Sequence, residues 1–187
     1  IAADLQSLAA RGKLGKLDAD AARARIQPAS AASFGRCGFV VEAIVEDLAA
    51  KHALLQKLED VVADDAILAS NTSSLSITAM AAGLKRPERV VGMHFFNPPT
   101  RMKLVEVISG IETSADIAAT VFATAESWGK KPAFAKSTPG FIVNRIARPF
   151  YGEAWRSYTE GAADPATIDA IVRDCGGFPM GPFEVMD

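Results

Sequence analysis

The stretch His94-Phe95-Phe96-Asn97-Pro98-Pro99-Thr100-Arg101-Met102-Lys103-Leu104-Val105-Glu106-Val107-Ile108 sets a histidine and a glutamate inside two apolar runs. His94 closes Val90-Val91-Gly92-Met93, and Glu106 is flanked by Leu104-Val105 and Val107-Ile108. Short runs of this composition, joined by a Pro-rich loop, read as buried strands. Neighbouring strands bring an imidazole and a carboxylate within hydrogen-bond reach. A carboxylate on one ring nitrogen fixes the tautomer and leaves the other nitrogen free to take a proton. That is the layout of a general base with its orienting partner. A His at a strand end is also compatible with a purely structural role, and Arg101 or Lys103 are alternative partners for Glu106. Some partner is required, because carboxylates are almost never fully buried unpaired.

Outward from this pair, strands and helices alternate. Residues 38–43 and 66–69 read as short apolar strands, and Leu48, Leu55, Leu58 and Val62 recur at helical spacing across 46–63. A short helix over 77–83 leads to strands at 89–94 and 103–108. Thr113 opens a helix that runs to about Trp128, with Asp116 favourable in its first turn, and 131–135 form a last strand. Residues 1–26 read as one or two short helices.

Thr138-Pro139-Gly140 then breaks the pattern. A helix over Phe141–Thr159 follows, with a kink expected at Pro149. Asp164-Pro165 is an N-cap with Pro in the first helical position, and that helix ends at Gly176-Gly177. The expected architecture is an α/β domain over residues 1–136 with several parallel strands, then an all-helical domain over 137–187. The chain starts at Ile1 without an opening strand and stops at Asp187. It is expected to be an internal piece of a longer protein, with N-terminal strands missing and the helical domain truncated.

The chain has 187 residues, about half of them hydrophobic, and a formal net charge of −2. That balance argues against a nucleic-acid surface, which wants a basic excess. No 18-residue apolar run suggests a membrane span. Cys37 and Cys175 are far apart and lack metal-ligand company, so no metal is expected. A reducing, cytoplasmic compartment is the simplest reading.

Further candidates lie where strands end. Ser70-Asn71-Thr72-Ser73-Ser74 follows the second strand, and open α/β sheets bind ligands outside the carboxyl ends of their strands. The same run is equally the composition of a helix cap. Glu46 and Lys51 follow the first strand; they either bond a ribose or are solvated first-turn charges. Asn97 precedes a proline in the loop, and Asn144 sits among apolar residues at the start of the long helix, where a buried amide needs partners. Arg11, Lys13 and Lys16 form either a solvated face or a contact for an anion. No Gly-x-Gly-x-x-Gly loop is present.

At these residues the chain resembles the L-3-hydroxyacyl-CoA dehydrogenases. The matching stretches are Val40–Glu46, Ser70–Leu75, His94–Pro98, Met102–Val107, Thr138–Arg145 and Met180–Glu184, in order and at the family's spacing. Residues 147–187 are most similar to bacterial members that act on 3-hydroxyadipyl-CoA in phenylacetate breakdown. The resemblance implies a Rossmann-type NAD-binding domain followed by a helical, dimer-forming domain. It implies reversible oxidation of a 3-hydroxyacyl-CoA to a 3-ketoacyl-CoA, with hydride passing to NAD. In that reading His94 is the general base and Glu106 its partner. Ser73 and Asn144 hold the substrate's 3-oxygen and thioester region, and Lys13 contacts CoA. Glu46, Lys51, Ser73 and Asn97 line the NAD site. The chain departs from the family pattern in lacking the opening strand, the glycine loop and the ribose-binding acid.

Overall fold

A computed structural model describes residues 2–12 and 15–186. Two short helices come first, α1 (Ala2–Ala10) and α2 (Lys16–Ala24). The sheet region follows as β1 (Phe39–Glu42), α3 (Leu48–Glu59), β2 (Ile67–Ser70), α4 (Ile77–Ala81), β3 (Val90–Phe95), β4 (Leu104–Ser109), α5 (Ala115–Ser127) and β5 (Lys131–Lys136). Three helices complete the chain: α6 (Val143–Thr159), α7 (Pro165–Asp174) and α8 (Pro182–Met186).

The strands lie in sequence order, β1-β2-β3-β4-β5. The first three are mutually parallel, joined by α3 and α4. β4 pairs antiparallel with β3, and β5 runs parallel to β4 through α5. The several parallel strands expected are present in β1, β2 and β3, and β4 makes the sheet a mixed one. Only residues 96–103 separate β3 from β4, and a parallel crossover needs roughly a dozen residues or more. A loop that short turns the chain back on itself.

Side-chain alternation divides the core. Val90 and Ile108 join Leu55, Leu58, Leu68, Ile77 and Met80 on the α3–α4 side. Val91, Met93, Val105 and Val107 meet Ala118, Val121 and Ala125 of α5 on the other. Both faces of β2 are covered, so all four of its residues are buried. Each fully buried aliphatic side chain contributes about 1.5–3 kcal/mol. Gly92 permits this closeness: a Cβ there would lie 2.8 Å from Ile108 Cβ and 3.0 Å from Ile77 Cδ1.

Short polar side chains start the helices. Asp47, Ser76, Ser114 and Asp164 accept from the backbone N–H of Ala50, Ala79, Ile117 and Thr167. α6 departs from expectation by starting at Val143 rather than Phe141. Gly140 and Phe141 have φ of 75° and 47°, in the left-handed region, so the chain turns before it coils. Pro149 lies inside α6. The helical part leaves Trp155, Tyr158, Phe178 and Met186 exposed. Among the described residues, no helix is long and apolar enough to cross a membrane.

Candidate active site

The antiparallel turn at β3–β4 makes His94 and Glu106 direct cross-strand partners. His94 Nδ1 lies 2.7 Å from Glu106 Oε2, and both side chains are buried. Arg101 and Lys103, the alternative partners for the carboxylate, make no ion pair with it. The imidazole sits near Phe96 and Phe141, with ring centroids 4.5 and 5.9 Å away. Its Nε2 makes no hydrogen bond to the described residues, so that nitrogen is available to a ligand.

Glu106 has a second role that its place in the sequence did not reveal. Its Oε1 accepts from the backbone N–H of Ile142 and Val143, each at 2.9 Å. These are unsatisfied first-turn donors of α6, where a carboxylate also meets the positive end of the helix dipole. The residue that orients His94 thus anchors the helix that follows the sheet. Asn144, one residue further on, donates through Nδ2 to Ser73 O at 3.0 Å. Its amide thus bonds across from the start of α6 to the chain that follows β2.

The hydroxyl cluster after β2 converges on Glu46. Glu46 Oε1 accepts from Thr72 Oγ1 at 2.6 Å, Ser73 N at 2.8 Å and Ser73 Oγ at 3.2 Å. The cap of α4 is Ser76, outside that run. Burial pushes the Glu46 carboxyl upward, but the bonds from Thr72 and Ser73 and the Lys51 ammonium outweigh it and hold it at about 2. The side chain remains 38% exposed, an ionised acceptor at the mouth of the strand ends.

Lys51 is not a solvated first-turn charge. Its side chain is fully buried, and Nζ points at Glu42 Oε1 (2.7 Å), Ile44 O (3.2 Å) and Glu46 Oε2 (3.3 Å). Two of these contacts are hydrogen bonds and the third is an ion pair, so the Lys51 ammonium is turned to protein oxygens rather than solvent. Glu42 escaped the sequence reading, although a glutamate ending an apolar strand is the same signal that drew attention to Glu106. Asn97 is exposed in the β3–β4 loop. Lys130 braces that loop by donating to Pro99 O and Met102 O. Lys13 lies outside the described residues.

The sheet, with the buried His94–Glu106 pair at the end of β3 and an ionised Glu46 beside the ends of β1 and β2, defines a Rossmann-type dinucleotide-binding protein. The chain belongs to the 3-hydroxyacyl-CoA dehydrogenase family. Residues 1–138 match its NAD binding domain and residues 140–187 its C-terminal domain. Over its whole length the chain is 48% identical to the 3-hydroxyadipyl-CoA dehydrogenase of Escherichia coli K12, covering 40% of that protein. It is 47% identical to human mitochondrial hydroxyacyl-coenzyme A dehydrogenase, with 79% of this chain and 47% of that protein aligned. Among solved structures, 3-hydroxybutyryl-CoA dehydrogenase from E. coli K12 superposes with a TM-score of 0.96 at 48% identity, over 98% of this chain and 39% of that one. The (S)-3-hydroxybutyryl-CoA dehydrogenase of Ralstonia eutropha gives 0.94 at 40% identity, over 97% and 64%. The chain thus spans about two fifths of the length of the E. coli relatives.

Proposed function

We propose that this chain carries the acid–base centre of an NAD-dependent enzyme that oxidises L-3-hydroxyacyl-CoA to 3-ketoacyl-CoA. The supporting observation is the buried His94–Glu106 pair, with Nε2 left free at the end of β3. His94 Nε2 takes the proton of the substrate's 3-hydroxyl. Glu106, on Nδ1, holds the ring and shares the positive charge that arrives with the proton. NAD, when bound, supplies the acceptor for the hydride leaving C3. Ser73 and Asn144 hold the 3-oxygen and the thioester region from the two sides of the cleft they already bridge, and Lys13 contacts CoA.

The donor set fits the nicotinamide-ribose end of NAD. Glu46 is held ionised to accept from ribose hydroxyls, with Lys51 behind it and Ser73 and Asn97 alongside. The sequence holds no glycine-rich loop for a pyrophosphate, so that half is assigned to none of these residues. We divide the chain into a cofactor domain, 1–136, and the start of a helical domain, 137–187. Similarity to the E. coli 3-hydroxyadipyl-CoA enzyme supports a role in the breakdown of fatty or aromatic acids. The exposed Trp155, Tyr158, Phe178 and Met186 support a homodimer through the helices, and the well-separated Cys37 and Cys175 fit a reducing, cytoplasmic compartment. The deciding experiment is His94→Ala. It should lower kcat for a 3-hydroxyacyl-CoA by roughly 10²–10⁴ while NAD affinity holds. Near-normal kcat would remove His94 from the mechanism.

A further inference from the structure

Glu42 ends β1 with no role in the chemistry above, yet both of its carboxylate oxygens are bonded inside the protein. Its side chain is fully buried. Oε1 accepts from Ile44 N at 2.6 Å and Lys51 Nζ at 2.7 Å, and Oε2 accepts from Ser70 Oγ at 2.5 Å. Its carbonyl accepts from Asn71 N at 2.8 Å, which ties it to the end of β2 as well. We propose that Glu42 is a positioning residue that, through Lys51, sets the charge and aim of Glu46. This inference rests on the reading that Glu46 faces the NAD ribose.

The argument is one of unequal sharing. A buried ammonium must be neutralised, and Lys51 has two carboxylates within reach. Glu42 is the nearer at 2.7 Å and Glu46 the farther at 3.3 Å. Because Glu42 satisfies most of that charge, Glu46 retains its own and keeps Oε1 on Thr72 and Ser73. Its remaining surface faces outward. Neutralising Glu42 removes the nearer partner. Lys51 then closes on Glu46, the only other carboxylate it contacts among the described residues. That movement draws Glu46 off Ser73 and cancels the charge that a ribose hydroxyl would meet. A Glu–Lys pair kept only for stability would show no such dependence on a third, partly exposed group.

The test is a double-mutant cycle on NAD affinity, measured by calorimetry in the holoenzyme with Glu42→Gln, Glu46→Gln and both together. Each single change should weaken NAD about tenfold, the scale of one misaligned charge-assisted hydrogen bond. Glu42→Gln should add nothing once Glu46 is Gln, and KM for NAD should rise more than kcat falls. An equal loss in both backgrounds overturns the proposal, since Glu42 would then act on the fold and not through Glu46. Unchanged affinity in Glu46→Gln overturns the cofactor reading itself, a different result. If Glu42→Gln does not fold, Glu42→Asp keeps the charge, draws it back from Lys51 and serves in the same cycle. Its loss of about threefold should vanish in the Glu46→Gln background; a loss that persists there sinks the proposal.

Discussion

Glu106 divides its two oxygens between the base and a helix, and this separates the effects of two substitutions. In Glu106→Gln the amide oxygen can still accept from Ile142 and Val143. The NH2 group then faces His94 Nδ1 and forces the proton onto Nε2, the wrong tautomer for a base. We expect kcat to fall roughly 10²–10⁴-fold with little change in Tm. Glu106→Ala leaves two part-buried backbone donors without that partner and should destabilise by about 1–2 kcal/mol, visible in denaturant melts. Equal stability of the two variants would show that Oε1 does not hold the helix. Glu46 carries a pH signature. Its carboxyl is lowered from 4.5 to about 2, so its stabilisation is complete above about 4.5 and is lost as pH falls through about 2. Glu46→Gln should flatten that acid limb of the stability curve; an unchanged limb would deny the shift. The sequence disclosed His94 and Glu106 because an ionisable group in an apolar run demands a partner. It did not disclose that Lys51 turns inward, because a lysine in the first turn of a helix looks alike whether solvated or paired.

Elements were legible wherever periodicity and caps agreed. The helices at 48–59, 115–127 and 165–174 lie within the stretches read from spacing, and Asp164 caps its helix as expected. Two features were hidden. The reversal of β4 lay in a loop length rather than a motif. The start of α6 lay in backbone angles at Gly140 and Phe141 that no side-chain pattern displays. Gly140 is where this can be tested. A Cβ there would sit 2.9 Å from Arg145 N and 3.2 Å from Arg145 Cα, both backbone atoms that cannot swing aside. The left-handed conformation alone costs a non-glycine residue about 1–2 kcal/mol. Gly140→Ala should therefore lose about 2 kcal/mol or more of stability. It should also slow turnover, because relief of the clash moves the Ile142 and Val143 donors away from Glu106. A variant with parental Tm and kcat would mean that the turn has room to relax.

The whole molecule joins at few points, which makes its coupling measurable. Beyond the covalent link, the start of α6 meets the sheet region through Glu106 with Ile142 and Val143, through Asn144 with Ser73, and through Phe141, which shares a buried cluster with Leu55 and Ile108 and lies 5.9 Å from the His94 ring. The two polar links use residues of the proposed catalytic centre, so any movement of the helical part reaches His94 directly. Within the sheet, by contrast, Val105 and Val107 are fully buried against α5, and their ladder bonds do not depend on α6. Hydrogen exchange separates the two regions. In Glu106→Ala the amides of Ile142 and Val143 lose their acceptor and should exchange about 10–100-fold faster, equivalent to about 1.4–2.7 kcal/mol of local protection. Amides at the centre of β3 and β4 should exchange at parental rates under conditions where global unfolding is negligible. Asn144→Ala should reproduce the acceleration at the start of α6 to a smaller degree, since it removes one neutral hydrogen bond instead of two charge-assisted ones. Faster exchange spread evenly through β4 would place the role of Glu106 in the sheet itself. Acceleration confined to the first turn of α6 identifies the carboxylate as the joint through which the helical part and the base respond to each other.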